Sequence, residues 1–272
     1  MLKLNHDNYF SIEANLEYMS ASQIKAFETC EASALEEVKT GMESEREAFK
    51  EGKFFEASIC GREDLFIMQN PDMVSSRGTT KGDLKANFKK VVGSIDEFKR
   101  HKIFMDIIDR CQQQVIVTGI IPCTRNDMTI DIPFKGAIDF LDMETLDFYD
   151  SKCMKDFNNV WSQADNMKIK WYFAYRYQYQ CAIYRELILQ TFGREAGKAH
   201  IMATTKEDIP DSTFFYFSKE ILDNAIEIIE YDAPKYQQIK QGQIEPTRCE
   251  KCEYCRRTRI ITEPYEITEA DY

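Results

Sequence analysis

The chain has no long apolar run. Its first ten residues, MLKLNHDNYF, are too polar for an export signal, and no stretch approaches the ~18 apolar residues that a membrane helix requires. The expectation is a soluble, cytoplasmic protein without a membrane partner. Positive charge is also short, since 35 lysines and arginines face 46 acids and leave a net charge of −11. That excludes a protein that coats nucleic acid through its overall field, because neutralising phosphates takes Lys and Arg. Any contact with DNA must use a local basic patch. There is no internal repeat and no long low-complexity segment.

What is present is ample core material: 272 residues, 43% of them hydrophobic, suit one elaborated domain better than two. The expected division of residues 1–272 is a helical N-terminal part over 1–110, a core over 115–240 and a cysteine-rich tail over 246–272. Nine cysteines in a chain without an export signal point to a reducing compartment, where thiols stay free or bind metals.

Residues 18–40 read as one helix capped by Ser20 or Ser22, with Ile24, Phe27, Ala34 and Leu35 on one face and Gly41 as its stop. A second helix is expected over 43–60, weakened by Gly52 and ended by Gly61. A polar loop opens 75–110, which continues as helix. From Val115 the texture turns to short β-rich runs, VIVTGII, TIDIPFKGAIDFLD and TLDFYDSK, which read as a three-stranded antiparallel meander. Helical character returns over 165–192. Strands are then expected at AHIMAT and TFFYF, and a helix from about Lys219 to Lys240.

The hairpin GAIDFLDMETLDFYDSK carries the chemistry. Asp150 and Lys152, two apart on one strand, project from the same face, because side chains alternate with period two. With the turn centred on Met143 and Glu144, Asp139 becomes a diagonal neighbour of Asp150, within roughly 8 Å. Two carboxylates suit a hard cation such as Mg²⁺, and a lysine beside them can orient a nucleophilic water or offset developing charge. This gives phosphodiester hydrolysis without histidine. The bland alternative is a surface hairpin with solvated acids. Against it, Asp150 and Lys152 end an otherwise apolar strand, where unpaired charge is costly.

GAID, DSK and a helix carrying Gln180 and Tyr184 in QCAIY together resemble the RecB-type branch of the PD-(D/E)XK nucleases. The resemblance implies an α/β nuclease core, a mixed central sheet flanked by helices, here with extra N-terminal helices and the cysteine-rich tail. It also implies that Gln180 orients the lysine, the water or a phosphate, with Tyr184 one helical turn away on the same face. Gly52 and Glu56 in GKFFEAS resemble the branch's upstream motif. Glu56 replaces the commoner histidine and would add an oxygen ligand suited to Mg²⁺ or Mn²⁺.

The opening Y-x-S-x-S-Q-I-K-A-F-x-x-C is similar to the first helix of phage and prophage exonucleases related to exodeoxyribonuclease VIII, so the likeness runs from about Tyr18 to Cys255. Such a relationship implies digestion of one strand of linear duplex DNA from the 5′ end, a ring-shaped homo-oligomer and a single-strand annealing protein as partner in recombination. The setting would be a bacterial or phage-infected cytosol. Relatives active in CRISPR adaptation keep an endonuclease open as an alternative.

Cys249, Cys252 and Cys255 recur at three-residue spacing, an arrangement that lets three thiolates hold one cluster. By the same resemblance Cys30 is the fourth ligand, and a [4Fe-4S] cluster is the leading expectation. Zinc on the same four thiolates and isolated reduced cysteines are the alternatives. Glu31 stands where a proline is common, and the spacing to the last cysteine is shorter than usual.

For DNA, Arg77, Lys81, Lys85, Lys89 and Lys90 form a basic group, with the lysines at 81, 85 and 89 aligned if helical. Trp161, Lys168, Lys170 and Trp171 offer a second site where stacking and charge would hold a single strand. A solvated helix face with core aromatics is the alternative. The competing function is a noncatalytic DNA- or protein-binding module stabilised by its metal-bound tail.

Overall fold

The computed structural model describes residues 1–41, 47–162, 166–264 and 266–267. Five strands form a mixed sheet in the order β1-β2-β3-β6-β7: β1 (Gln112–Arg125), β2 (Met128–Leu141), β3 (Phe148–Met154), β6 (Ala199–Thr205) and β7 (Ser212–Tyr216). The expected meander is β1 to β3, each pair antiparallel. β6 then pairs parallel to β3, and β7 runs antiparallel to β6. Every residue of β6 is buried, as expected for a parallel-paired strand covered on both faces.

Period-two alternation feeds two cores. Leu141, Phe148 and Ile201 face one cluster, shared with α2 (Ala21–Thr29), α9 (Tyr177–Phe192) and α10 (Lys219–Lys240). Phe140, Tyr149 and Met202 face the other, built with α4 (Glu47–Ile59), α6 (Ala86–Arg100) and α7 (Lys102–Arg110). Helices therefore cover both faces of the sheet.

Several expectations are corrected. The single helix over 18–40 is two, α2 and α3 (Glu31–Thr40), because Cys30 is extended at φ −163° and ψ 108° and points its thiol into a separate small cluster. Gly41 does end α3, at φ 72°, where a side chain would be strained. The part of the helix expected at 43–46 lies outside the described residues. The stretch expected as helix over 165–192 instead begins with β5 (Met167–Ile169), paired with the preceding β4 (Val160–Ser162), and then α8 (Trp171–Ala174) before α9. Helix α10 runs over Lys219–Lys240, its Ser218 cap accepting from the Ile221 N–H at 3.4 Å. A short α1 (Ile12–Glu17) and α5 (Glu63–Gln69) precede the sheet, and α11 (Glu253–Arg257) closes the described tail. Among the described residues no helix is long and apolar enough to cross a membrane.

Candidate active site

The β2–β3 hairpin opens just where its acids stand. Backbone pairing comprises Leu141 with Phe148 and Phe140 with Tyr149. This register centres the turn between Glu144 and Thr145, not on Met143 and Glu144. Asp142 Oδ1 lengthens the turn by accepting from the Glu144 and Thr145 N–H groups at 2.9 and 3.2 Å. Continued, the register sets Asp139 against Asp150 directly, not diagonally. There the strands part, and the Asp139 side chain fills the gap: Oδ2 accepts from the Ser151 N–H at 3.0 Å and its hydroxyl at 3.2 Å. Gln114 Nε2 donates to Asp139 Oδ1 at 3.2 Å from a backbone at φ 52°, a conformation uncommon outside glycine.

Asp150 is 2% exposed. Its Oδ1 accepts from Gln180 Nε2 at 2.6 Å, and Oδ2 is ion-paired with the Lys152 ammonium at 2.5 Å. Burial raises the Asp150 pKa to about 6, outweighing the attraction of Lys152, with Asp139 pushing the same way. Burial works against the Lys152 ammonium, yet Asp150, Tyr177 and Asp139 hold its pKa above the ordinary lysine value. The Lys152 ammonium also lies over the Tyr177 ring, 4.9 Å from its centre.

Helix α9 supplies the other wall. Gln180 Nε2 contacts Tyr184 Oη at 3.2 Å, and that hydroxyl donates to the Ala137 carbonyl at 2.8 Å. The ring fits because Gly136 has no side chain: a Cβ there would lie 2.5 Å from Tyr184 Cε1. Glu56 enters from α4, on the opposite face of the sheet. Burial first and Asp139 second raise its pKa, and Lys53 pairs with it at 3.0 Å. Asp139, Asp150, Lys152, Gln180 and Tyr184 thus form one connected cluster, with Glu56 electrostatically coupled to it.

This donor set fits a hard divalent cation. All three acids offer oxygen, and Asp139 pushes up the pKa of both Glu56 and Asp150, a repulsion that a cation would relieve. The carboxylates are not as tightly gathered as the cysteines. Among the described residues only Cys30, Cys249, Cys252 and Cys255 bring every ligand atom within 4.8 Å of the others.

Residues 20–258 match the family model described as a PDDEXK-like domain of unknown function, DUF3799. The chain belongs to this family. Among solved structures, it is similar to a protein from Eubacterium rectale named as a candidate exonuclease. The two share 29% identity over 98% of this chain and 97% of that one, with a TM-score of 0.84. A second solved structure, of SSO0001, shares 12% identity over 74% of this chain and 81% of that one, at a TM-score of 0.29, too low to bear on fold or function. No functionally curated protein matches.

The basic group of this PDDEXK-like domain is exposed but not aligned as expected. Arg77 and Lys81 flank a 3₁₀ turn over Gly78–Thr80, and Lys85 precedes α6, so only Lys89 and Lys90 are helical. Lys89 pairs with Asp83 at 3.1 Å. Gly82 at φ 95° and the extended backbone of Lys85 break the repeat of Lys81, Lys85 and Lys89 before it can form a helical stripe. In the second group Trp161 and Lys168 face each other across β4–β5 and are exposed, with Lys170 just beyond, but Trp171 is buried in the core.

Sequence reasoning missed Ser151, Gln114, Tyr177 and Lys53. Ser151 lies between Asp150 and Lys152, where the alternation of a regular strand turns its side chain away from theirs. Only the parting of the strands brings it to Asp139. Gln114 carries no local signal, since its role depends on the backbone at φ 52°.

Proposed function

We propose that this chain is a metal-dependent DNA exonuclease whose active site is the cluster of Glu56, Asp139, Asp150 and Lys152, with Gln180 and Tyr184 in support. The observation that carries the reading is the buried Asp150, held between Gln180 and the Lys152 ammonium and set beside a second acid, Asp139, where two strands part. A structural ion pair would gain nothing from a second acid crowding the first. The exonuclease name of the Eubacterium rectale neighbour supports the same reading.

Asp139 and Asp150 would be the principal ligands for Mg²⁺ or Mn²⁺, with Glu56, which pairs with Lys53 at 3.0 Å, as a third oxygen donor. An ion held there would supply Lewis-acid activation of the scissile phosphate and of a water. Lys152, kept charged by its acidic neighbours, orients that water or offsets charge developing on the phosphate. Gln180 fixes the Asp150 carboxylate, and Tyr184 fixes Gln180 while anchoring itself to β2. The exposed Arg77, Lys81, Lys85, Lys89 and Lys90 supply backbone contacts to DNA that an overall charge of −11 cannot.

By resemblance to the phage exonucleases, the substrate is linear duplex DNA digested from the 5′ end for recombination, by a ring-shaped oligomer working with a single-strand annealing protein. Digestion of end-labelled linear duplex by wild type, Asp139→Asn and Lys152→Ala, with circular dichroism to verify folding, tests the site. Folded variants that have lost at least 100-fold in rate are expected. Retained activity in both overturns the assignment, and tight binding by the wild type without turnover favours a noncatalytic module.

A further inference from the structure

The four-cysteine site has a geometry that distinguishes a single ion from a cluster. The Sγ of Cys30 lies 3.6 Å from that of Cys255 and 3.8 Å from that of Cys252, and Cys249 lies 3.9 Å from Cys255. All four sulfurs fall within 4.8 Å of one another. Four thiolates around a single ion at about 2.3 Å stand at the corners of a tetrahedron with edges of about 3.8 Å. A four-iron cluster gives each thiolate an iron of its own, which spreads the same sulfurs to about 6 Å. The observed spacing has room for one ion and none for a cube of iron and sulfide.

The surroundings agree. The Cys252 N–H approaches the Cys249 sulfur at 3.3 Å, and the Cys255 N–H approaches the Cys252 sulfur at 3.4 Å. Such donors steady thiolates around a metal and orient them. Cys30 and Cys255 are buried in a cluster that has little else to hold it, chiefly Ala32 and Tyr254. Helix α11 spans only Glu253–Arg257, too short to be stable alone. A closed ligand set with no position for water is the pattern of a structural site.

We infer that Cys30, Cys249, Cys252 and Cys255 bind one tetrahedral Zn²⁺ that ties the C-terminal tail to the junction of α2 and α3, and that a [4Fe-4S] cluster does not fit. The same junction reaches the candidate active site. Glu28, two residues before Cys30, holds Arg176 through contacts of 2.7 and 2.8 Å, and Arg176 starts α9, which carries Gln180.

The test is elemental analysis, acid-labile sulfide and an anaerobic absorption spectrum of the full chain purified without chelator. One zinc per chain, no sulfide and no visible absorption are expected. After exchange with Co²⁺, the visible bands of a tetrahedral cobalt thiolate should appear. Cys252→Ser should lower zinc retention against a chelator at least ten-fold, while Cys111→Ser, outside the cluster, should leave it unchanged. Iron with sulfide, a single iron, or no bound metal in the native protein would each overturn the inference. Because these measurements need no catalysis, they stand apart from the nuclease assay.

Discussion

Gly136→Ala should be costly out of proportion to one methyl group. The new Cβ would lie 2.5 and 2.7 Å from Tyr184 Cε1 and Cδ1 and 3.3 Å from Val117 Cγ2, where carbon contacts normally begin near about 3.5 Å. The Tyr184 ring must therefore retreat by about 1 Å inside a packed core. Overpacking of this kind costs about 1–3 kcal/mol. Loss of the 2.8 Å bond from the Tyr184 hydroxyl to the Ala137 carbonyl adds about 1 kcal/mol. The expected destabilisation is about 2–4 kcal/mol. Gly93→Ala makes the same chemical change in the interior of α6, where the nearest foreign atom is Pro210 Cγ at 3.8 Å. It should stabilise by about 0.5–1 kcal/mol through helix propensity. Urea unfolding followed by far-ultraviolet circular dichroism compares the two directly. If Gly136→Ala is as stable as wild type, Tyr184 does not occupy the slot over Gly136, and the support assigned to Gln180 fails with it.

Burial, with Lys135 nearby, depresses the pKa of Lys240 to about 7, against about 10.4 when unfolded. Above pH 7 the unfolded chain then binds more protons, so this residue makes stability rise with pH by up to about 1.4 kcal/mol per unit. Burial raises the thiols of Cys60 and Cys153 to about 11, which opposes that trend once unfolded thiols ionise near about 8.5. Between pH 7 and about 8.5 the stability of Lys240→Met should therefore rise less steeply than that of wild type, since every other group titrates alike in the two proteins. Parallel pH curves would contradict the assignment. Replacing Lys85 and Lys90 together by alanine should weaken binding to duplex DNA of any sequence and reduce its salt dependence by nearly two phosphate contacts. An unchanged slope in a salt titration of binding would remove these lysines from the DNA surface.

Much of the site was legible because strand and helix periodicities act locally. Period two set Asp150 and Lys152 on one face, and helical spacing stacked Gln180 over Tyr184; both pairs are in contact. The strands of the meander and helix α10 were legible for the same reason. The remainder depends on long-range contacts. No glycine or proline marks the break at Cys30, which follows from the pull of a thiol toward the tail 225 residues away. The turn register depended on Asp142 capping its own loop, and Ser151 reached Asp139 only because pairing ended early. Buried Lys135 and Lys240 likewise could not be read from composition. Their amino groups donate to oxygens contributed from residues 9–23, far away in sequence.

The most direct test is digestion of linear and closed circular duplex DNA by the purified chain with Mg²⁺, Mn²⁺ or EDTA, alongside Lys152→Ala. Metal-dependent loss of the linear form alone, abolished in the variant, is the expected result. Cleavage of the closed circle would make the enzyme an endonuclease, and intact DNA under every condition would contradict nuclease activity at this site.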